Sequence, residues 1–297
     1  MKTLNTFKTL ARVAAIAVAF SAAGAAHAHR GWLLPSSTVL SGNEPWVTVD
    51  AAISNDVFVF DHNAMRLDAL AVTAPDGSVV KSENQSTGRF RSSFDVKLAQ
   101  KGTYKIAMVS DAMMASYKVG TETKRARGTA ESLAKEIPAG ATDLNVMQSV
   151  SRNEVFVTSG KPSTEVLKPT GRGLEMVPVT HPNDLVVGDT AKFRFVMDGQ
   201  PAAGVVITLV PGGSRYRNQP EEQKFTADAQ GEVSIKWAKP GMYWLSAAPE
   251  REAGAPGMQG GAASAPGAAA RPAGPVGTLA KPVRRASYAA TLEVLPQ

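Results

Sequence analysis

The sequence predicts an all-β chain: two β-sandwich modules joined by a connector that carries one short helix. Three observations predict it. From Trp32 to about Gly120, short alternating segments rich in β-branched and aromatic residues recur between turn signals. The same rhythm resumes near Gly173 and runs to the C-terminus. Between the two, the pattern shifts once to helical character, in Ala130-Glu131-Ser132-Leu133-Ala134-Lys135-Glu136. A chain of 297 residues has room for two modules of ordinary core size.

The first 28 residues have the layout of a secretory signal peptide. Basic residues (Lys2, Lys8, Arg12) precede an apolar run from Val13 to Phe20, and small residues follow. Ala26 and Ala28 satisfy the small-residue rule for a cut that leaves His29 first. A cut after Ala26 leaves His27-Ala28-His29 instead. No later apolar run approaches the roughly 18 residues that a membrane helix needs, so a soluble periplasmic chain is expected.

The first module, 29–120, takes its strands from Trp46–Ala51, Leu67–Val72, Phe90–Val96 and Tyr104–Val109, with turns at Pro75-Asp76-Gly77 and Lys101-Gly102. Such spacing suggests an antiparallel sandwich of immunoglobulin-like kind. Phe58-Val59-Phe60-Asp61-His62-Asn63-Ala64-Met65 interrupts the rhythm as an aromatic-flanked loop, the kind of segment that most often carries chemistry. Trp32 and Trp46 are expected to anchor the core or an interface.

The connector, 121–169, opens on the basic cluster Lys124-Arg125-Ala126-Arg127, expected on the solvated surface. Thr129 can cap the helix, which Pro138 and Gly140 stop. A strand-like Glu154–Thr158 follows. The second module, 170–297, has strands at Leu174–Val179, Thr190–Met197, Val205–Val210, Gln223–Thr226, Glu232–Trp237 and Met242–Ala247, and a closing strand at Ala286–Leu295. Before that closing strand, residues 251–285 are dominated by Ala, Gly and Pro and cannot bury enough apolar surface to offset ordering, so a disordered insertion is expected.

Composition narrows the function. With no cysteine there can be no disulfide, thiolate nucleophile, iron–sulfur cluster or Cys-ligated zinc, and any metal must be held by His, carboxylate, Met or backbone. Of 32 Lys and Arg, three stand in the first 28 residues, which hold no acidic residue. The remaining 29 oppose 26 Asp and Glu, a balance of +3 that does not point to nucleic acid. No Ser-His-Asp order, phosphate-cradling glycine loop or supported carboxylate pair marks an enzyme.

The turns Val187-Gly188-Asp189, Gly199-Gln200-Pro201, Asp228-Ala229-Gln230-Gly231 and Pro240-Gly241-Met242-Tyr243 resemble those of carboxypeptidase regulatory and transthyretin-like modules, which implies a transthyretin-like second sandwich but no activity. Several stretches taken together resemble domain-of-unknown-function family 4198. They are the leader ending in Ala-His-Ala, the run His29-Arg30-Gly31-Trp32-Leu33-Leu34-Pro35-Ser36, Pro45–Val49, Arg66–Leu70 through Pro75-Asp76-Gly77, and the Asp189–Tyr243 pattern. The resemblance implies a periplasmic component of a cobalt or nickel ABC-type uptake system, with a membrane transporter component as partner.

Four residues are the candidate metal ligands. His29 can chelate through its new α-amine and its imidazole, and His62 can complete a three-nitrogen set with Asp61 beside it. His181, in Thr180-His181-Pro182-Asn183, either reaches across from the second module or caps its own turn. A His27-Ala28-His29 terminus would instead wrap Cu(II) or Ni(II) in a square plane. The expected cofactor is thus a divalent transition metal, nickel, cobalt or copper. The alternative is a metal-free structural or interaction protein of the envelope.

Overall fold

The computed structural model describes residues 29–250 and 276–297. The expected leader, with His27, and most of the expected disordered insertion lie outside the described residues. The chain begins with β1 (Arg30–Pro35), β2 (Val39–Leu40), β3 (Trp46–Ser54), β4 (Asn63–Ala64), β5 (Leu70–Thr73), β6 (Val79–Val80), β7 (Glu83–Thr87) and β8 (Ser92–Lys97). Next come β9 (Gly102–Val119), β10 (Glu122–Gly128), helix α1 (Ala130–Glu136) and β11 (Thr142–Ser159). The remainder is β12 (Leu174–Pro178), β13 (Thr190–Met197), β14 (Gln200–Pro201), β15 (Val206–Pro211), β16 (Gln223–Thr226), β17 (Glu232–Lys236), β18 (Gly241–Ala248) and β19 (Val283–Val294).

Alternation decides which residues face inward. In β3, Val47, Val49 and Ala51 are buried while Trp46 and Thr48 are exposed; in β13, Ala191, Phe193 and Phe195 point in and Lys192 and Arg194 point out. Trp46 was expected as an anchor, but its position in that alternation puts it on the solvent face, 45% exposed. The turn Asp228–Gly231 needs its glycine, because Gly231 has φ +76° and a Cβ there would meet the Phe195 carbonyl oxygen at 2.3 Å.

The strands form three sheets. One holds β1, β3, β4, β8 and β7; another holds β12, β13, β14 and β17; and a ten-stranded sheet runs in the order β16-β15-β18-β19-β11-β9-β5-β6, with β10 on β9 and β2 on β11. The ten-stranded sheet serves both sandwiches. Phe156 of β11 packs in the core with Phe193, Phe195 and Leu245, whereas Val155 and Val157 pack with Val49, Phe94 and Ile106. Neighbouring residues of one strand point to opposite faces, so each face of the long sheet is covered by a different small sheet.

Residues 121–169 therefore hold a central strand. β11 is 18 residues long and pairs antiparallel with the equally long β9 and parallel with β19. The outer ends of β9 and β11, with β10, form an arm closed by α1. Its cluster of Met113, Ala115, Tyr117, Ala126 and Val146 buries Leu133, the buried residue of the helix. Thr129 caps α1 in a capping box with Ser132, which supplies partners for amides that the first turn leaves unpaired. Among the described residues no helix is long and apolar enough to cross a membrane.

Candidate functional site

β1 carries the candidate centre because both of its faces are buried. Leu33 packs into the first sandwich core, while Trp32, one residue earlier, joins Ala52, Val57, Val210 and Trp244 in a separate cluster between β1 and the second sandwich. Trp32 is fully buried, and its Nε1–H donates to Ser54 Oγ at 2.7 Å. Burying an indole of this size with its one donor satisfied fixes the strand in place. The preceding residues are held from the other side. Trp244 Nε1–H donates to the Gly31 carbonyl at 3.0 Å, and the Arg30 guanidinium lies 5.3 Å from the Trp244 ring centroid and pairs with Glu222 at 2.8 Å.

The loop after β3 folds over the same tryptophan. Phe58 meets Trp32 edge-on at 5.5 Å between ring centroids and Phe60 meets it at 5.3 Å. Phe58 has φ 60°, a left-handed backbone uncommon for a bulky residue and held here by that aromatic packing. Asp61 closes the loop by accepting a hydrogen bond from the Asn55 amide at 3.0 Å. The Asp61 carboxylate thus works within its own turn.

These constraints bring His62 against His29. The two imidazoles are stacked, with centroids 3.8 Å apart and planes 10° from parallel. His29 is exposed and His62 half-buried. Among the described residues neither ring makes a hydrogen bond to protein, so four ring nitrogens remain uncommitted. Imidazole lone pairs lie in the ring plane, and a stacked pair therefore aims them side by side; a shared metal requires one ring to turn about its side-chain torsions. His29 stands at the surface with room for that turn. The donor set fits a divalent transition ion of the nitrogen-preferring kind.

The structure does not bring His181 to this pair. Its Nδ1 accepts from the Asn183 amide at 3.1 Å, and its Nε2 lies 3.0 Å from Thr103 Oγ1 and 3.2 Å from the Ser163 carbonyl. The carbonyl can only accept, so Nε2 carries the proton and the ring is neutral, with no lone pair left for a metal. Burial holds its pKa below the ordinary histidine value, against the opposing pull of the Ser163 carbonyl and Asp184. The ring does what a turn-capping histidine does. Among the described residues no three His, Cys, Asp or Glu side chains converge as a metal cluster. Of the four expected ligands, then, only His29 and His62 meet.

The stacked pair stands beside a cavity of about 1130 Å³ that opens between the two sandwiches and is lined by His29, Asn63, Arg89, Arg127, Asn153 and Trp244 among others. Arg127 is exposed, as expected for the basic cluster, and where β10 pairs with β9 it also lines this cavity.

Residues 26–251 match the family described as Domain of unknown function (DUF4198). The chain belongs to the DUF4198 family. No curated protein matches it. Among solved structures, this DUF4198 chain is similar to the D1–D4 ectodomain fragment of ICAM-5, at 9% identity over 74% of this chain and 46% of that one, with a TM-score of 0.19. It is similar to a DUF4785 family protein of Legionella pneumophila, at 8% identity, 73% and 50% coverage and a TM-score of 0.22. It is also similar to the D0–D1 domain of intimin, at 9% identity, 88% and 97% coverage and a TM-score of 0.20. The chain spans about half the length of the first two. At such scores these likenesses add nothing to the architecture described above.

Proposed function

We propose that this chain is a periplasmic binding protein for one divalent transition metal, nickel, cobalt or copper, which it holds at His29 and His62 and presents to a membrane uptake system without catalysing a reaction. One observation carries the reading: two imidazoles with uncommitted nitrogens, 3.8 Å apart, at the end of the strand that the export signal would leave first. A terminus at His29 adds an α-amine to the two rings, three nitrogens in all. An amine of ordinary pKa, about 7.7–8.0, must lose its proton to bind, so affinity falls as pH drops.

The test starts from intact mass of the exported protein, which fixes its first residue. Titration of that protein with Ni(II), Co(II) and Cu(II) is expected to give one site per chain. A form extended by one alanine before His29, and His62→Ala, are each expected to bind at least tenfold more weakly. Equal affinity in all three proteins would end the metal reading. The second reading, a metal-free structural or interaction protein of the envelope, is favoured by the lack of any three-residue ligand cluster among the described residues. It predicts no saturable metal binding in any of the three.

A further inference from the structure

The cavity beside His29 has a floor of unusual composition for the middle of a large sheet. On β11, Ser151 and Asn153 occupy the same face as Val155 and Val157, which the first small sheet covers; the covering sheet stops short, and the two polar residues are left open. Ser151 is directly opposite Ser110 of β9 on one side and Ser287 of β19 on the other, so three hydroxyls form one row across three strands. All three line the cavity. Among the described residues none of these hydroxyls makes a hydrogen bond to protein, and Asn153 Oδ1 is buried without a partner. A buried polar atom without a partner is costly, and a ligand that donates to Asn153 Oδ1 removes that cost, while the half-buried Ser110 and Ser151 and the exposed Ser287 are accessible to the same ligand.

Charge gives the sign of the ligand. Five arginines are among the lining residues against one carboxylate, Asp68, although the Arg152 side chain turns to the opposite face of β11. Three of the five are already paired: Arg30 with Glu222, Arg66 with Asp68, and Arg152 with Glu154 and Glu175. Among the described residues Arg89 and Arg127 are in no ion pair. Guanidinium groups bind carboxylates in a two-pronged geometry. Met65, Met108 and Trp244 add apolar lining, which suits a carbon skeleton better than a bare inorganic anion. The volume, about 1130 Å³, is more than a small organic molecule needs.

We propose that this cavity binds a small organic hydroxy-polycarboxylate, with its carboxylates on Arg89 and Arg127, its remaining carboxylate oxygens accepting from the serine row, and its hydroxyl donating to Asn153 Oδ1. The site stands beside the proposed metal pair and does not depend on it.

The probe is citrate, titrated calorimetrically into the full exported protein, freed of metal by chelation, at constant ionic strength. One saturable site is expected. The double variant Arg89→Ala/Arg127→Ala, which alters only exposed side chains, is expected to lose at least tenfold in affinity. Ser151→Val, which removes the central hydroxyl at constant charge, is expected to lose about fivefold. His62→Ala is expected to bind citrate as the wild type does, which keeps failure of the metal reading distinct from failure of this one. A citrate titration without saturable heat, or a double arginine variant that binds like the wild type, overturns the proposal; inorganic phosphate binding as tightly as citrate overturns the assignment to an organic acid.

Discussion

His181 and the His29–His62 pair have the same chemistry and differ in how much of it the protein consumes. At His181 both ring nitrogens are spent on Asn183, Thr103 and Ser163, and Asn183 in turn donates to the Phe156 carbonyl and accepts from Thr158 Oγ1. At the pair, no nitrogen is spent on any described residue. The two faces of β11 repeat the contrast. One face holds Arg152 and Glu154, locked with Glu175 and Tyr288; the other holds Ser151 and Asn153, left open to the cavity. A polar group that folding saturates belongs to stability, and one that folding leaves unsaturated is free for a ligand. Substitutions on the two sides should therefore separate stability from binding.

The largest effect is expected on the closed face. Glu175 accepts from the Thr170 amide and hydroxyl and from the amides of Gly171 and Arg172, and pairs with Arg152 at 3.4 Å. Removing it takes one of two carboxylates from a buried guanidinium, which keeps Glu154, and strands several donors, and Glu175→Ala should lower unfolding free energy by about 3–5 kcal/mol. Urea denaturation measures it. A loss under 1 kcal/mol would mean that the network is not closed in the way described. The Tyr288 hydroxyl donates to Glu154 at 3.0 Å in full burial, and burial together with the neighbouring carboxylate pushes its pKa well up, so the phenol stays protonated.

A smaller effect is expected at His181. Replacing it by Ala deletes the acceptor for the Asn183 amide and the donor to Ser163, a loss of about 1–3 kcal/mol. Its folded pKa lies below its unfolded value of 6.5. The stability it contributes is therefore complete above pH 6.5 and is lost as pH falls through the folded pKa, because the unfolded chain takes up the proton first. His181→Gln, which cannot titrate, should flatten the decline in stability between pH 7 and pH 5 relative to the wild type. Parallel profiles for the two proteins would show that the ring is not neutral in the fold.

What the sequence revealed follows the same division. Strands that bury apolar residues on one face are legible: Thr190–Met197 and Gln223–Thr226 are expected and observed over the same residues, and so is the Thr129-capped helix. The middle of β11 is not. Its inward residues are Arg152 and Glu154 on one face and Ser151 and Asn153 on the other, so a fully engaged strand reads as polar chain, and only its apolar end, Glu154–Thr158, stands out. For the same reason residues 121–169 read as a connector although they contribute the strand that both sandwiches share. At the site, the loop with His62 was visible because it breaks the strand rhythm. The stacking of His62 on His29 was not, since it depends on Phe58 and Phe60 closing over Trp32, and no local pattern encodes which aromatic residue that loop meets. Arg127 is exposed as a basic cluster suggests, but that it stands over a cavity depends on the β9–β10 pairing, which no local pattern encodes.

The smallest effect on stability should come from the open side, and it sharpens the comparison most. His62→Ala removes a half-buried ring whose nitrogens bond to nothing else described, so unfolding free energy without metal should stay within about 0.5 kcal/mol of the wild type. The difference should emerge only when metal is added. An ion that binds the folded chain alone stabilises it by about 2.7 kcal/mol at one hundred times its dissociation constant, and the variant should lose most of that gain at the same ion concentration. Thermal melts with and without Ni(II) read both quantities from one sample. A variant destabilised to the extent of His181→Ala would place His62 among the saturated groups after all, and a wild-type melt unmoved by any of the three metals would leave the stacked pair as packing.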